Sequence, residues 1–273
     1  MCLIAVAYNA TEDYELIALA NRDEFYDRPA TPLHFWEPSA LTRHGPVAGG
    51  QDLQAGGTWL AASRYHGTRR FAAVTNYRNP DQAIAAHSRG ELVTNFLSGS
   101  LDAAAFAEAL GDTAMQYGGF NLLLFDDSGL HYCTNRWPLD GEPAGFQAEH
   151  RVLDSGVYVL SNHLLDSPWP KSLQLRKQVN RLLTEHEPDV PIDPDCWLNL
   201  MLDPTQANDE ALPVTGMPLE MERQLSSAFI ALANYGTRCS TLVTIGHSAP
   251  ASIEMHERRF GPNSRGEETT LVL

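Results

Sequence analysis

Cysteine is scarce in this chain: four occur in 273 residues, at Cys2, Cys133, Cys196 and Cys239, and no two stand as C-x-x-C. With no H-E-x-x-H either, the common zinc templates fail, and no metal site is expected. Basic residues are few, with 19 Lys and Arg against 34 Asp and Glu for a formal net charge of −15. Basic side chains cluster no further than the pairs Arg69-Arg70 and Arg258-Arg259. Nucleic acid needs a cationic face for its phosphates and is excluded as a partner. Long apolar runs are missing as well. Uncharged stretches such as Gln224 to Thr237 are too short and too polar to span a bilayer, so no transmembrane segment is expected. The opening residues, Met1 to Tyr8, lack the basic leader and cleavage pattern of an export signal. The expected compartment is therefore cytoplasmic, with the thiols reduced.

The residues that are present describe a folded protein. An apolar fraction of 43% with only 19% charged residues supplies a core and excludes overall disorder. The length allows one to two domains, and no linker, repeat or low-complexity tract divides it, so a single domain over residues 1–273 is expected. The oligomeric state is not legible. Strand-like runs occupy Cys2 to Tyr8 and Tyr14 to Ala20, then Thr58 to Ala62, Phe71 to Tyr77, Phe120 to Phe125, Leu130 to Asn135 and Val157 to Leu165. Ser240 to His247, Ser252 to Arg259 and Thr269 to Leu273 follow, and Asp127-Ser128-Gly129 signals a hairpin turn. Helical spacing appears at Ala103, Phe106, Ala107 and Leu110 behind Asp102, and at Leu175, Val179, Leu182 and Leu183 after Ser167-Pro168. Glu91 to Leu97 and Cys196 to Leu202 are shorter helical candidates. Strands in hairpin order with helices between them predict an α+β fold with mostly antiparallel sheets.

Cys2 is the most informative position. Removal of Met1 would leave a cysteine with a free α-amino group, joining a nucleophile and a base on one residue. The amine titrates at about 7.7–8.0 and the thiol at about 8.5 when unperturbed. A cysteine early in a first strand is more commonly a small buried hydrophobe. Pairing the first two strands about Thr11 sets residue i against residue 22 − i, which puts Cys2 opposite Ala20 and starts Asn21-Arg22-Asp23-Glu24 just beyond. Diagonal neighbours on paired strands lie about 7–8 Å apart, within an arginine's reach. A guanidinium there would favour the thiolate, and a carboxylate would orient the amine. A charged turn closing the hairpin is the competing reading.

These residues carry a resemblance. Met1-Cys2-Leu3-Ile4, Asn21-Arg22-Asp23-Glu24, Gly56-Gly57-Thr58-Trp59-Leu60, Thr75-Asn76-Tyr77-Arg78 and Ser88-Arg89-Gly90 resemble the NRDE family, also called Transport and Golgi organisation 2. Gly119-Phe120-Asn121-Leu122, Ser161-Asn162, Pro168-Trp169-Pro170-Lys171 and Tyr235-Gly236-Thr237-Arg238 continue the set in family order. That family is similar to the N-terminal-nucleophile hydrolases, chiefly the cysteine branch with penicillin V acylase and bile salt hydrolase. The resemblance implies a four-layer αββα sandwich and a mature N-terminal cysteine that attacks an amide carbonyl. Cys2, Arg22 and Asp23 match the cysteine, arginine and aspartate of that branch. The hydrolases space the last two three residues apart, whereas here they are adjacent, so either Asp23 or Glu24 would meet the amine.

By the same resemblance Asn162 matches the oxyanion-hole asparagine, Asn76 supplies the second donor, and Arg238 matches a late arginine. Neutral amides suit charge that develops only in the transition state. Turn or strand-end duty is the alternative for either asparagine, and a structural ion pair for Arg238. Gly49-Gly50 and Gly56-Gly57 read as a tight loop, since no helix signal follows to cradle a phosphate. His163 reads as a partly buried structural histidine, and Trp36, Trp59, Trp137, Trp169 and Trp197 as core or cleft walls. Two functions follow as expectations. One is hydrolysis of a non-peptide amide of a small molecule, with no cofactor. The other is carriage of haem, acyl-coenzyme A or lipid in the same cleft, where haem would need an apolar slot and one axial His, Cys, Met or Tyr.

Overall fold

A computed structural model describes residues 2–79, 85–139, 146–247, 252–262 and 264–273. The chain forms two compact units, one of Met1–Arg28, Ser155–Ser161 and Leu165–Val272, the other of Pro29–Asp154 with Asn162–Leu164 and Leu273. Strands and helices are numbered along the chain. The first unit holds β1 (Cys2–Tyr8), β2 (Tyr14–Phe25), β10 (Gly156–Leu160), β11 (Tyr235–Gly246), β12 (Ile253–Gly261) and β13 (Ser264–Val272). They form one antiparallel sheet in the order β10-β1-β2-β11-β12-β13. The second unit holds β3 (His34–Phe35), β4 (Val47–Gly49), β5 (Leu60–Tyr65), β6 (Thr68–Asn76), β7 (Phe120–Asp126), β8 (Gly129–Pro138) and β9 (Phe146–Leu153), paired in sequence order. Helices are few: α1 (Arg89–Ser98) and α2 (Ala103–Leu110) in the second unit, and α3 (Pro170–Glu185), α4 (Pro194–Asn199) and α5 (Leu219–Gln224) in the first. The α+β class with mostly antiparallel sheets is as expected.

Burial follows the sequence pattern. β1 is apolar from Cys2 to Ala7 because both its faces are withdrawn from solvent. Leu3, Ala5, Ile17, Leu19 and Leu242 pack with Leu175, Val179 and Leu182, the apolar stripe of α3. Pro170 occupies the first turn of that helix, where its missing N–H costs nothing, so the helix starts two residues later than Ser167-Pro168 predicts. In the second unit Leu92, Val93, Phe96, Ala103 and Ala107 pack on Ala72, Val74, Leu122 and Leu124. Ser88 and Glu91 cap α1 reciprocally, and Asp102 accepts the Ala105 N–H at 2.8 Å at the start of α2. Asp126 pairs with Gly129, so the hairpin is as expected and its turn is the two residues Asp127 and Ser128.

Three elements differ from expectation. Cys2 stands opposite Arg22, not Ala20, because Tyr8 pairs with Leu16. Asn9 adopts a left-handed conformation (φ +46°) and donates to the Glu15 carbonyl at 2.9 Å, while the Thr11 hydroxyl accepts the Tyr14 N–H. The loop thus holds two more residues on its far side. A two-residue slip keeps every side chain on its original face, so apolar patterning is blind to it. Second, β2 does not stop at Ala20 but runs through Asn21-Arg22-Asp23-Glu24, flanked by β1 and β11. Third, the strand read from Val157 ends at Leu160. There Asp166 (φ +61°) folds back, its carboxylate accepting the Val159 N–H at 2.8 Å. β3, β4, β9 and α5 have no counterpart among the expected elements.

Candidate active site

The second strand sets the first group of candidate residues. Side chains directly opposite in an antiparallel ladder share a face. Arg22 faces Cys2 on one side and Cys239 on the other, so a guanidinium sits in one row between two thiols. Cys2 and Arg22 are both buried. Burial pushes the Cys2 thiol above its ordinary value. The positive chain terminus and Arg22 pull it back down, Asp23 adds to the rise, and the Asp23 backbone N–H, which donates to the sulfur, lowers it. The thiolate-favouring effect expected of Arg22 is present, but desolvation exceeds it. Burial also pushes Cys133 up to about 12 and raises Cys239 well above the ordinary thiol value. Cys196 is exposed.

The two acids of the tetrapeptide part company. Asp23 is buried and accepts the Thr237 hydroxyl at 2.7 Å, whereas Glu24 is turned to the Phe25 N–H at 2.9 Å and to Arg28 at 3.9 Å. Arg238 is the extra residue of a bulge in β11, between Thr237 opposite Asp23 and Cys239 opposite Arg22. Bulges re-aim a side chain. Its Nη1 donates to the carbonyls of Phe25 at 2.7 Å and Arg28 at 3.0 Å, clasping the end of β2.

Asn21 was not among the predicted site residues, yet it is fully buried and hydrogen-bonded through both ends of its amide. Its Nδ2 donates to the Met201 and Ala228 carbonyls, both at 2.9 Å, and its Oδ1 accepts the Ser240 hydroxyl at 2.6 Å. The signal in the sequence that could have found it is an asparagine directly continuing an apolar strand.

In the second unit Asn162 Nδ2 donates to Asn76 Oδ1 at 2.8 Å and to the Asn76 carbonyl at 3.2 Å. The Arg78 N–H in turn donates to the Asn162 carbonyl at 2.7 Å, and the Tyr77 N–H to that of Gly119 at 2.8 Å. The six predicted residues therefore fall into two groups: Cys2, Arg22, Asp23 and Arg238 in one unit, Asn76 and Asn162 in the other. His163 lies against Tyr77 with the rings tilted by 34° and their centroids 5.0 Å apart, and burial lowers its pKa.

Two glycines of the recurring motifs have steric reasons. A Cβ on Gly57 would lie 2.6 Å from the Gly90 carbonyl carbon, so these two backbones touch. A Cβ on Gly236 would lie 2.3 Å from the Tyr26 hydroxyl and 2.5 Å from the Ile230 carbonyl oxygen.

The family model of Transport and Golgi organisation 2 matches residues 1–262. The mouse Transport and Golgi organization 2 homolog is 31% identical over 290 residues, spanning 99% of this chain and 98% of its own. The bovine protein of that name is 33% identical with the same coverage, and the human one 32% identical over 90% of this chain and 88% of its own. This chain belongs to the Transport and Golgi organisation 2 family.

Proposed function

We propose that the protein is an N-terminal-cysteine hydrolase of a non-peptide amide bond in a small molecule. The observation that carries this reading is the cross-strand pair of Cys2 and Arg22, with the Asp23 N–H on the same sulfur. Removal of Met1 in the cytoplasm would expose the α-amine of Cys2. That amine takes the thiol proton, so no histidine is needed. Burial alone would suppress the thiolate, and the positive chain terminus, Arg22 and the amide N–H offset it. Asp23 suits the orienting of the amine better than Glu24, whose carboxylate is turned to Phe25 and Arg28.

The sulfur adds to the amide carbon, the C–N bond breaks as the amine leaves with the proton, and water hydrolyses the thioester to the acid and the free thiol. Asn162 and Asn76 serve the oxyanion as a unit. Asn162 grips both carbonyl groups of Asn76, and Asn76 Nδ2, which makes no hydrogen bond among the described residues, is the donor this orients. Arg238 positions the end of β2 and so the Arg22–Asp23 step. The reading includes the four-layer αββα arrangement of the N-terminal-nucleophile hydrolases. In its favour, each antiparallel sheet carries helices on one face.

The test is turnover of a panel of N-acyl amino acids and penicillin-type amides by processed protein, beside haem and acyl-coenzyme A titrations. Cys2→Ala should abolish turnover while ligand still binds. Asn76→Ala should lower kcat by the ~10²–10³ of one lost oxyanion donor, with little change in affinity. No amide cleaved, with tight stoichiometric haem or acyl-coenzyme A binding that ignores Cys2→Ala, would make the protein a carrier.

A further inference from the structure

The second unit also holds an arginine that a strand irregularity turns toward aromatic rings. The β8–β9 ladder slips between Thr134 and Trp137. Asn135 keeps its place in the core, where Nδ2 donates to the Ala114 and Tyr117 carbonyls and Oδ1 accepts the Phe120 N–H. Arg136 therefore takes up the bulge. Its Nη1 is anchored on the Asn135 carbonyl at 2.8 Å, and its Cζ lies 5.5 Å from the Phe146 ring centroid. Phe146 is 6.0 Å from Tyr77, and Tyr77 is 5.0 Å from His163, the neighbour of Asn162. The Nε of Arg136 is buried without a hydrogen-bond partner among the described residues, and no carboxylate among them bears on the guanidinium. A half-buried cation held in place, desolvated and short of an acceptor among the described residues calls for an explanation in a chain of net charge −15. Burial lowers its pKa, the direction an acidic partner would reverse. A second guanidinium, Arg78, is buried and bears on His163.

We propose that Arg136, framed by Tyr77 and Phe146, binds the oxyanion of a ligand that carries a carboxylate or phosphate beside a flat apolar group. Resting on the amidohydrolase reading, this makes the substrate an anionic amide. A guanidinium suits such a group because its planar fork matches two oxygens, and the rings cover the apolar part. A purely structural arginine would instead be saturated by carbonyls or an acid.

The test is calorimetric binding to the full chain of 4-phenylbutyrate, phenyl phosphate and neutral 4-phenylbutanol. At least one anion should bind about tenfold or more tightly than the alcohol, and added salt should erode that preference. The tighter anion identifies carboxylate or phosphate as the recognised group. Arg136→Gln should abolish the preference, and Arg136→Lys should retain part of it. Phe146→Leu, which keeps every charge, should weaken anion and alcohol together. Equal binding of anion and alcohol, no binding at millimolar concentration, or an anion preference that survives Arg136→Gln would each overturn the proposal. Should Arg136→Gln not fold, the salt dependence in wild type decides. Cys2→Ala should leave anion binding unchanged, which separates the two readings. Anion binding without turnover of any amide retires the hydrolase alone. Equal kcat/KM for neutral and anionic amides retires the anion site alone.

Discussion

Cys2 and Arg22 put opposing effects on one sulfur. Desolvation raises the thiol and the guanidinium lowers it, with desolvation the larger. Alkylation of Cys2 in the chain that keeps Met1 should therefore have a pH midpoint above the ordinary thiol value. Replacing Arg22 by Gln removes a positive charge, so the midpoint should rise further and the rate near neutrality should fall. The exposed Cys196 reacts regardless of this chemistry, so the measurement belongs in a Cys196→Ser background, followed by mass spectrometry of the labelled peptides. A midpoint that falls or stays put in Arg22→Gln would break the argument. Asn21 makes the companion case for stability. Asn21→Ala strands two buried carbonyls and a buried serine hydroxyl, and should cost about 2–4 kcal/mol in urea unfolding. The loss should appear without any change in the pH profile of Cys2 alkylation.

Elements hold these residues where they are. β2 carries all four letters of Asn21-Arg22-Asp23-Glu24, and strand alternation divides them. Arg22 shares a face with Cys2, while Asn21 and Asp23 look the other way, toward the Met201, Ala228 and Thr237 groups they bind. Arg22 thus belongs to the surroundings of the thiol and Asn21 to the scaffold. The contact between Gly57 and Gly90 is a second element-scale device, since it lets the loop before β5 lie against the first turn of α1. Gly57→Ala would force backbone against backbone and should destabilise by about 1–3 kcal/mol. Gly56→Ala, where a Cβ meets nothing within 4 Å, should act only through its left-handed φ of +76° and cost less than that clash. Thermal melts of the two variants side by side check the order.

At the scale of the molecule the chain crosses repeatedly between its two units. It leaves the first at Arg28, returns at Ser155, lends Asn162–Leu164 to the second and finishes the first from Leu165. The seven strands of the second unit lie within Pro29–Asp154, whereas the sheet of the first unit is completed only after the second has been passed. β1 and β2 of the first unit precede the whole second sheet in the chain, while β10 to β13 follow it. One cooperative unfolding transition is expected. Trp36, Trp59 and Trp137 report on the second unit and Trp169 and Trp197 on the first, so single-tryptophan variants followed by fluorescence should give superimposable urea curves with far-ultraviolet circular dichroism. Two separated transitions would mean that the units fold independently.

The sequence by itself determined the strand-rich class, the helices with clear caps and stripes, and the family through its ordered motifs. Those features are local: Asp102 ahead of an Ala-Phe-Ala-Leu stripe or Asp127-Ser128 between apolar runs acts within a few residues. It also singled out Cys2, Arg22 and Asp23, and the pair Asn76 and Asn162, as residues that belong together. Tertiary structure decided the rest. Whether Cys2 faces Ala20 or Arg22 depends on a loop conformation that shifts the register by two, and side-chain alternation is identical in both registers. β9, with an uneven burial pattern, is a strand because β8 pairs with it, and α5 is too short to show a periodicity. The bulges at Arg238 and Arg136 exist only when a second strand supplies the count they break. The balance on the Cys2 thiol was settled the same way. Arg22 was visible as a nearby charge, but desolvation comes from the sum of all the atoms that bury the sulfur, and no single residue carries it.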